Sequence, residues 1–283
     1  MSGYELHRWN SDFVWVDHPP SEGPLGGAEL EAFDREGFVV VPDLLEPEVV
    51  AGALAVMDAA ESRGEQQLRQ LPAGRFSISE AGAITFTTHL VARSEVLRAL
   101  SVHPRILGLC AQLVGPDVRL YWDQAVYKKP EKPRRFPWHQ DNGYTFVEPQ
   151  AYLTVWIAFT DATEDNGCPQ VATGLHRLGT LRHRFVDPLG FECFDHVDEP
   201  AVAEVKAGGA VVFSSLTPHL TGPNVTDSVR KSYILQYAPS GACVLRGDPH
   251  DGAPVDRVPC VEPSRQYEVL RGGQPLVPPP RAA

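Results

Sequence analysis

Short β-rich runs recur through the second half of the chain and restrict what it can fold into. From residue 118 onward, runs rich in Val, Ile, Tyr and Phe alternate with turn residues such as the Asp-Asn-Gly at 165–167 and the Gly-Gly at 208–209. Such alternation is typical of chains built from many short strands. We predict strands at 118–128, 152–159, 170–172, 210–214 and 231–238. The second half of the chain therefore predicts a β-sandwich or a jelly roll.

Helical patterns and one strand occupy the first part of the chain. Helices are expected at 28–36, from 47 to about 62, and at 94–113, the last broken at Pro104 because proline removes a helix hydrogen bond. The run at 38–41 predicts a buried strand that ends at Pro42. Helices that precede many strands predict a mostly β fold with flanking helices.

We interpret the chain as one domain over residues 1–283. Residues 1–26 are expected to form an irregular arm, and residues 245–283 a Pro/Gly-rich C-terminal extension. The stretch 180–200 has little periodicity. We expect it to be a loop-like insertion over a site, since long loops in compact domains are commonly functional.

Charge and cysteine content indicate the partners and the compartment. The net charge is −11, and lysine and arginine are scattered along the chain, which argues against nucleic acid or a membrane surface as the partner. We therefore expect a small-molecule substrate, and the sequence leaves the oligomeric state open.

Five widely spaced cysteines without a Cys-x-x-Cys pair predict reduced thiols in a cytoplasmic protein. They are Cys110, Cys168, Cys193, Cys243 and Cys260.

Three residues offer a metal-ligand set: His139, Asp141 and His219. Two histidines and one carboxylate can hold Fe(II) on one face and leave positions open for small molecules. His139 and Asp141 are two residues apart, so in an extended segment both side chains would point to the same face. His219 follows the predicted strand at 210–214, where a strand end can present a ligand.

A second His-x-Asp pair, His196 and Asp198, competes for the same role. Predicted strands flank the pair that contains His139, and enough strands follow it to carry the chain across a jelly roll before His219. The second pair lies in the irregular stretch, with only one clear strand between it and His219. We therefore interpret His196 and Asp198 as part of a solvated loop.

Arg230 and Ser232 extend the candidate site. They lie two residues apart at the start of the predicted strand at 231–238 and so share one face. A guanidinium and a hydroxyl beside a metal can cradle a carboxylate-bearing cosubstrate through charge-assisted hydrogen bonds. Together with the metal-ligand set, they indicate iron-dependent oxygen chemistry.

Several segments of the chain resemble the phytanoyl-CoA dioxygenase family. They are Trp138-His139-Gln140-Asp141, the run from Trp156 to Cys168, Gly174-Leu175-His176, Pro218-His219, Pro223-Asn224 and Arg230. The resemblance covers roughly residues 30–240, and the run at 37–42 fits the family's opening strand. Members of the family are Fe(II)- and 2-oxoglutarate-dependent oxygenases built on a double-stranded β-helix, so the resemblance implies this form of jelly roll.

The resemblance also implies roles for individual residues. His139, Asp141 and His219 would be the iron ligands, whereas His176 matches a position that is not a ligand. Arg230 would bind the distal carboxylate of 2-oxoglutarate. Four further residues are expected to support or contact this cosubstrate: Ser232, Gln140, Trp156 and Gln124.

The implied activity is hydroxylation of an unactivated C–H bond in a small organic substrate, with consumption of O2 and release of succinate and CO2. The carboxylate of Asp141 favours hydroxylation, because related halogenases carry a small residue there to admit chloride. Desaturation or epimerisation by the same oxidant stays open. So does a non-oxidative metal-binding jelly roll, such as a cupin-like isomerase or a binding module.

The substrate is expected to be an amphipathic or polycyclic secondary metabolite. The stretch 180–200 and four aromatic residues are expected to form its pocket, with ordinary core packing as the alternative for the aromatics: Phe76, Phe86, Tyr144 and Phe146. A basic run before the iron motif could serve the phosphates of coenzyme A, but we interpret it as a solvated loop. It contains Lys128, Lys129, Lys132, Arg134 and Arg135.

Overall fold

The computed structural model of the protein describes residues 3–130, 136–248 and 252–280. In this part of the chain most helices come first and most strands follow, as the sequence predicts. The helices are α1 (Gly27–Glu36), α2 (Pro47–Arg69), α3 (Glu95–Leu100), α4 (Pro104–Leu113) and α5 (Asp141–Tyr144). The strands are β1 (Phe38–Val41), β2 (Arg75–Phe76), β3 (Ser79–Glu80), β4 (Ile84–Thr88), β5 (Val118–Lys128), β6 (Val147–Glu148), β7 (Leu153–Ala158), β8 (Pro169–Val171), β9 (Arg184–Val186), β10 (Gly190–Glu192), β11 (Ala201–Val202), β12 (Ala210–Ser214), β13 (His219–Thr221), β14 (Arg230–Pro239), β15 (Cys243–Arg246), β16 (Asp256–Pro259), β17 (Glu268–Arg271) and β18 (Gln274–Pro275).

One large antiparallel sheet organises the molecule, in the order β1-β12-β7-β14-β5-β4-β3-β2. Its long central strand β14 pairs with β7 on one side and with β5 on the other. Smaller sheets accompany it, in the orders β11-β8-β13 and β16-β15-β6, together with the hairpin of β9 and β10. The prediction of a mostly β jelly roll with flanking helices is confirmed.

Alternation along the central strands separates the two faces of the large sheet. On β14, Tyr233, Leu235 and Tyr237 are buried in the core that the helices share. Ile234 and Gln236 point to the opposite face, where they line a cavity. Each fully buried large apolar side chain contributes about 1.5–3 kcal/mol. The helix-side residues therefore hold the sheet in place, while the other face is free to form a site.

The helices differ from the sequence prediction at one end. Helix α2 continues to Arg69 instead of ending near residue 62. These additional residues are stabilised by Glu65, which bonds Arg69 at 2.7 Å and Lys129 at 2.8 Å. The predicted break at Pro104 is confirmed, since it separates α3 from α4. Pro104 opens α4, where its missing N–H removes no helix hydrogen bond.

The turn between α1 and β1 packs against the segment that contains His176. Helix α1 ends at Gly37, whose φ of 88° lies in the left-handed region. A Cβ at Gly37 would lie 2.5 Å from His176 Nδ1, so this approach requires glycine. The ring of His176 is fully buried, hydrogen-bonded through Nε2 to Asp34 O at 3.1 Å and edge-on to Trp15. It serves the packing of the fold, and it neither joins the metal set nor lines the cavity.

The stretch 180–200 is more regular than expected. It contains the β9–β10 hairpin, so the prediction of a loop without regular structure is wrong for these residues. The hairpin packs Phe191 against the ring of Tyr144, and Gly190 lies close to both Tyr144 and Ile78. Because Tyr144 and Ile78 line the cavity mentioned above, the hairpin supports one of its walls.

Part of the predicted C-terminal extension joins the large sheet. Strand β17 pairs with β5 and with β18, and Val269 and Leu270 are buried in the main core. The sequence did not indicate these strands for two reasons. The segment 245–283 is rich in Pro and Gly, and runs of two to four residues carry little periodicity.

The N-terminal arm is irregular over most of the described residues 3–26, as predicted, with one bridge between Leu6 and Leu181. The five cysteines all lie in the described ranges, and each is a free thiol. Within these ranges, every helix is too short or too polar to cross a lipid bilayer.

Candidate active site

The three predicted metal ligands lie together beside the large sheet. His139 and His219 form an isolated antiparallel bridge, with N–H···O=C bonds of 3.0 and 2.9 Å between their backbones. The chain then turns, and Asp141 is the first residue of α5. A fully extended segment, which the sequence argument assumed, is therefore not present. The bridge and the turn still bring one ligand atom from each residue within 4.8 Å of the others.

Both histidines are held in the tautomer that a metal requires. Nδ1 of His139 donates to Pro137 O at 2.9 Å, and Nδ1 of His219 donates to Thr217 O at 3.0 Å. A carbonyl oxygen only accepts, so each Nδ1 carries the proton and each Nε2 keeps its lone pair. Burial, with a smaller effect from His219, lowers the pKa of His139 well below its ordinary value. The ring is therefore neutral at physiological pH, as a ligand must be.

The carboxylate of Asp141 is oriented by β7. Thr154 Oγ1 donates a hydrogen bond of 2.6 Å to Asp141 Oδ2. On the neighbouring strand β14, Gln236 Nε2 donates to Thr154 Oγ1 at 3.4 Å. Asp141 Oδ1 lies 3.9 Å from His219 Nε2. With Oδ2 engaged, Oδ1 is the oxygen placed to ligate a metal.

Arg230 begins β14 and lines the same cavity, although only 1% of its surface is exposed. Its Nη1 donates to Ser232 Oγ at 2.6 Å, and the guanidinium lies 5.1 Å from the centre of the Trp156 ring. Nε and Nη2 have no hydrogen-bond partner among the described residues. Burial lowers the pKa of Arg230 to about 10, so the group remains a cation at neutral pH.

These residues fit iron and 2-oxoglutarate. Nε and Nη2 of Arg230 present two parallel N–H groups, the arrangement that binds a carboxylate in a two-pronged manner. A buried cation without an anion is strongly unfavourable. The unpartnered Nε–Nη2 edge of the guanidinium therefore indicates an anionic ligand. The three ligand atoms nearby are of the kinds that hold Fe(II) and leave coordination positions open. The donor set and the unpartnered guanidinium therefore match a metal with a carboxylate cosubstrate.

The metal set and Arg230 open into one cavity of about 540 Å³, a size typical of small-molecule sites. Phe76 lies at its mouth with 71% of its surface exposed. The structure brings five residues predicted for the cosubstrate or the substrate to this cavity: Gln124, Trp156, Phe76, Phe86 and Tyr144.

Three predicted residues do not line the cavity. Ser232 is fully buried and acts on the site through Arg230, whose Nη1 donates to it. The fully buried amide of Gln140 makes three hydrogen bonds to backbone atoms of neighbouring segments. It therefore braces the segment that carries the ligands and is not placed to contact a cosubstrate. Phe146 packs against the rings of His7 and Trp9 in the N-terminal arm, which corrects its assignment to the substrate pocket.

Sequence reasoning missed Thr154 and Gln236, although the signal was present. Residues two apart on a strand share a face. Thr154 therefore lies on the face of Trp156 in β7, and Gln236 on the face of Arg230 and Ser232 in β14. Alternation from the residues already identified could have found both.

Tyr121 and Trp122 also line the cavity, and here the sequence carries no signal. Adjacent strand residues normally point to opposite faces. The pairing of β14 with β5 shifts between Gln236, opposite Trp122, and Tyr237, opposite Leu120. This β-bulge leaves Tyr121 as the extra residue, and such an irregularity re-aims a side chain. Both aromatic residues consequently reach the same cavity.

The competing His-x-Asp pair lies outside the site. The side chains of His196 and Asp198 are 72% and 77% exposed, and they contact each other at 3.4 Å. Neither lines the cavity or joins the metal set. The interpretation of this pair as a solvated loop agrees with their exposure.

The basic run is not the solvated loop that we predicted, as far as it is described. Lys128 is buried at the end of β5 and donates to Thr221 O at 3.2 Å. Lys129 pairs with Glu61 and Glu65, each at 2.8 Å. Both cations therefore have partners within the fold. Lys132, Arg134 and Arg135 lie outside the described residues.

Known proteins share this sequence pattern. Residues 33–232 match the phytanoyl-CoA dioxygenase (PhyH) family. The ectoine dioxygenase of Nocardia farcinica is 27% identical over 252 residues, covering 77% of this chain and 80% of that protein. The methylphosphonate hydroxylase of Gimesia maris is 26% identical over 220 residues, covering 75% of this chain and 80% of that protein.

A solved structure shares the fold. The epimerase SnoN, crystallised with Fe3+, alpha ketoglutarate and nogalamycin RO, aligns with a TM-score of 0.62 and 24% identity. The alignment covers 81% of this chain and 93% of SnoN. The family match spans most of the chain and includes the metal set and Arg230. The chain therefore belongs to the phytanoyl-CoA dioxygenase (PhyH) family of iron- and 2-oxoglutarate-dependent dioxygenases.

Proposed function

We propose that this enzyme hydroxylates an unactivated C–H bond of a small organic substrate, a secondary metabolite, and releases succinate and CO2. His139, Asp141 and His219 would hold Fe(II), and Arg230 would bind 2-oxoglutarate. The observation that carries the proposal is the buried, unpartnered Nε–Nη2 edge of the Arg230 guanidinium. Its Nε and Nη2 lack a partner among the described residues, and it opens into the cavity that contains the metal set.

The chain's own residues bind, orient and exclude water. Iron with 2-oxoglutarate supplies the oxidation of the substrate by O2. Thr154 keeps one oxygen of Asp141 engaged, so that the other is presented to the metal. Ser232 holds Nη1 of Arg230, which leaves the Nε–Nη2 edge for the distal carboxylate of the cosubstrate. The aromatic walls exclude water from the reacting C–H bond.

The carboxylate at Asp141 supports hydroxylation over halogenation, because it takes a metal position that chloride would need. Product composition separates the remaining outcomes. Hydroxylation adds one oxygen atom, desaturation removes two hydrogens, and epimerisation leaves the composition unchanged. Mass spectrometry under labelled O2 identifies the first two by the mass of the product, and chromatographic separation of a product of unchanged mass identifies the epimer.

Anaerobic addition of Fe(II) and 2-oxoglutarate tests the proposal. We expect a weak visible charge-transfer band on binding of both, followed by formation of succinate when O2 is admitted. A wild-type enzyme that forms no such band would exclude the oxygenase assignment. A protein that forms neither band nor succinate, yet binds metal, would be a non-oxidative metal-binding jelly roll.

The two His-x-Asp pairs offer a matched control. Asp141→Asn is expected to weaken Fe(II) binding and abolish the band. Asp198→Asn changes the same residue type in the exposed pair and is expected to leave both unchanged. Loss of the band in the second variant, with the first unaffected, would mean that the metal set has been misplaced.

A further inference from the structure

We propose that the cavity beside the metal set accepts an uncharged, ring-bearing substrate that carries hydroxyl or carbonyl groups. The inference rests on the proposed function, since it assumes that Fe(II) and 2-oxoglutarate occupy the site. It goes further by naming the charge and the chemical character of the molecule that shares the cavity with them.

The described lining of the cavity offers no counter-ion to a charged substrate. Among the described residues that line it, the acidic, basic and histidine side chains are the three metal ligands and Arg230. The charges of a divalent iron and Arg230 balance those of Asp141 and a doubly ionised 2-oxoglutarate. A charged substrate would then pass from water into a cavity that holds no opposite charge for it, which is strongly unfavourable. The site therefore favours a neutral molecule.

Three tyrosines complete the ionisable groups of the described wall: Tyr121, Tyr144 and Tyr152. Burial raises the pKa of Tyr121 and Tyr152 above the ordinary value, so neither offers a phenolate to a cationic substrate. The hydroxyl of Tyr144 is buried, and no group in the described ranges accepts a hydrogen bond from it. A hydroxyl or carbonyl oxygen of the substrate can accept a hydrogen bond from this hydroxyl.

Two glutamines add uncharged hydrogen-bonding groups on adjacent strands. Gln124 Oε1 accepts from Trp122 Nε1 at 3.1 Å, so the amino group of Gln124 can donate to a ligand. Gln236 Nε2 donates to Thr154 Oγ1 at 3.4 Å, so the carbonyl of Gln236 can accept. One donor and one acceptor suit the hydroxyl and carbonyl groups of an oxygenated neutral molecule.

Aromatic rings form much of the remaining wall. The tilted rings of Phe86 and Phe136 have centroids 6.4 Å apart, Trp122 lies on β5, and Phe76 is exposed at the mouth. Ring systems bind such surfaces by stacked and edge-on contacts, which favours a ring-bearing molecule over a flexible chain. Rings also attract cations, so a cationic probe has to be compared directly.

Three probes that differ in charge test the proposal: 2-(hydroxymethyl)anthraquinone, anthraquinone-2-carboxylate and 2-(trimethylammoniomethyl)anthraquinone. Each is titrated anaerobically into the enzyme loaded with Fe(II) and 2-oxoglutarate, and binding is followed by calorimetry and by the charge-transfer band. We expect the neutral probe to bind at least about tenfold more tightly than either ion. A preference for either ion, or no binding of the neutral probe, overturns the proposal.

The band separates this proposal from the proposed function. If the band forms and an ion binds best, the substrate class is wrong and the oxygenase assignment stands. If the band fails to form before any probe is added, the proposed function fails and this inference fails with it.

A charge placed in the wall shows whether the probes bind in this cavity. Thr88, at the end of β4, lines it. Thr88→Lys adds a cation there, and Thr88→Met adds similar bulk without charge. We expect the carboxylate probe to bind the Lys variant at least about tenfold more tightly than the Met variant, with the band intact in both. Equal affinities overturn the placement of the substrate.

The cations outside the described residues are tested separately. Lys132, Arg134 and Arg135 precede Phe136, which lines the cavity. We expect the triple change to glutamine at these three positions to leave the affinity of the neutral probe unchanged. If the wild type prefers the carboxylate probe and the triple variant does not, the three cations serve an anionic substrate and the proposal is overturned.

Discussion

Thr154 is the residue through which the protein orients the carboxylate of Asp141. Its 2.6 Å hydrogen bond to Asp141 Oδ2 is as short as charge-assisted bonds are. Thr154→Val keeps the shape of the side chain and removes the donor, so we expect the Fe(II) affinity to fall roughly 10- to 100-fold. Thr154→Ser keeps the hydroxyl and should bind Fe(II) nearly as the wild type does. Anaerobic Fe(II) titration measures both, and equal affinities of the two variants would contradict this role.

Arg230 should control the affinity for 2-oxoglutarate without changing that for iron. Arg230→Met keeps the apolar stem and removes the charge. Losing one partner of a buried charge pair costs about 2–5 kcal/mol, so the Kd for 2-oxoglutarate should rise roughly 30-fold or more. Arg230→Lys keeps the charge without the two-pronged geometry. Its Kd for 2-oxoglutarate should lie between those of the wild type and the Met variant. Calorimetry with Fe(II) present measures the change. A Met variant that binds 2-oxoglutarate with wild-type affinity would contradict the role of Arg230 in binding its carboxylate.

At the scale of elements, the β9–β10 hairpin depends on Gly190. Its φ is 114°, and a Cβ would lie 2.6 Å from the hydroxyl of Tyr144. Gly190→Ala should therefore destabilise the fold by about 1–3 kcal/mol and displace the hairpin from the cavity wall. Gly241→Ala is the control, because a Cβ there meets nothing within 4 Å, and it should change stability by less than about 1 kcal/mol. Urea unfolding compares the two, and similar effects would argue against the close approach.

The C-terminal strand β17 should stabilise the whole sheet. Leu270 is 2% exposed and lies in the main core, so Leu270→Ala is expected to cost about 2–5 kcal/mol. Val277, further along the same segment, is 91% exposed, and Val277→Ala should cost less than about 0.5 kcal/mol. If Leu270→Ala lowers the free energy of unfolding as little as Val277→Ala does, β17 does not stabilise the large sheet.

Prediction of the elements succeeded for the long strands and for the all-apolar four-residue run of β1. β5 has the predicted bounds, and β7 and β14 differ from theirs by one residue at each end. β10 and β17, of three and four residues, were missed. Such short runs become strands only because a partner strand lies beside them, and that partner is distant in the sequence.

For the whole molecule, we expect acid to reduce stability through His176. Burial lowers its pKa from 6.5 to about 4. Below pH 6.5 the unfolded chain takes up a proton that the folded chain does not take up until about pH 4. The free energy of unfolding therefore falls as the pH falls through this window, by about 1.4 kcal/mol per pH unit and about 3 kcal/mol in total from this residue.

His176→Gln isolates this effect. Gln can still donate to Asp34 O, the partner of His176 Nε2, but it does not titrate. Urea unfolding between about pH 4 and pH 7 should show a pH slope that is smaller by up to about 1.4 kcal/mol per pH unit. The buried His183, whose pKa is also lowered to about 4, sustains part of the slope in both proteins. An unchanged slope in the variant would contradict the assignment to His176.

By itself, the sequence determined the class of fold and the candidate chemistry. Alternation of side chains is a local property, and the ligand chemistry of His139, Asp141 and His219 follows from the residues themselves. The order of the strands relative to these residues was enough to set aside the exposed His196 pair.

Only the tertiary structure decided which neighbouring side chains face the cavity. Gln140 and Asp141 are adjacent and both polar, yet the first bonds the backbone and the second joins the metal set. Tyr121 and Trp122 both line the cavity because of a bulge in the pairing with β14. The physical reason is the same in each case: the orientation depends on hydrogen bonds and strand register supplied by residues far away in the chain, which no local pattern records.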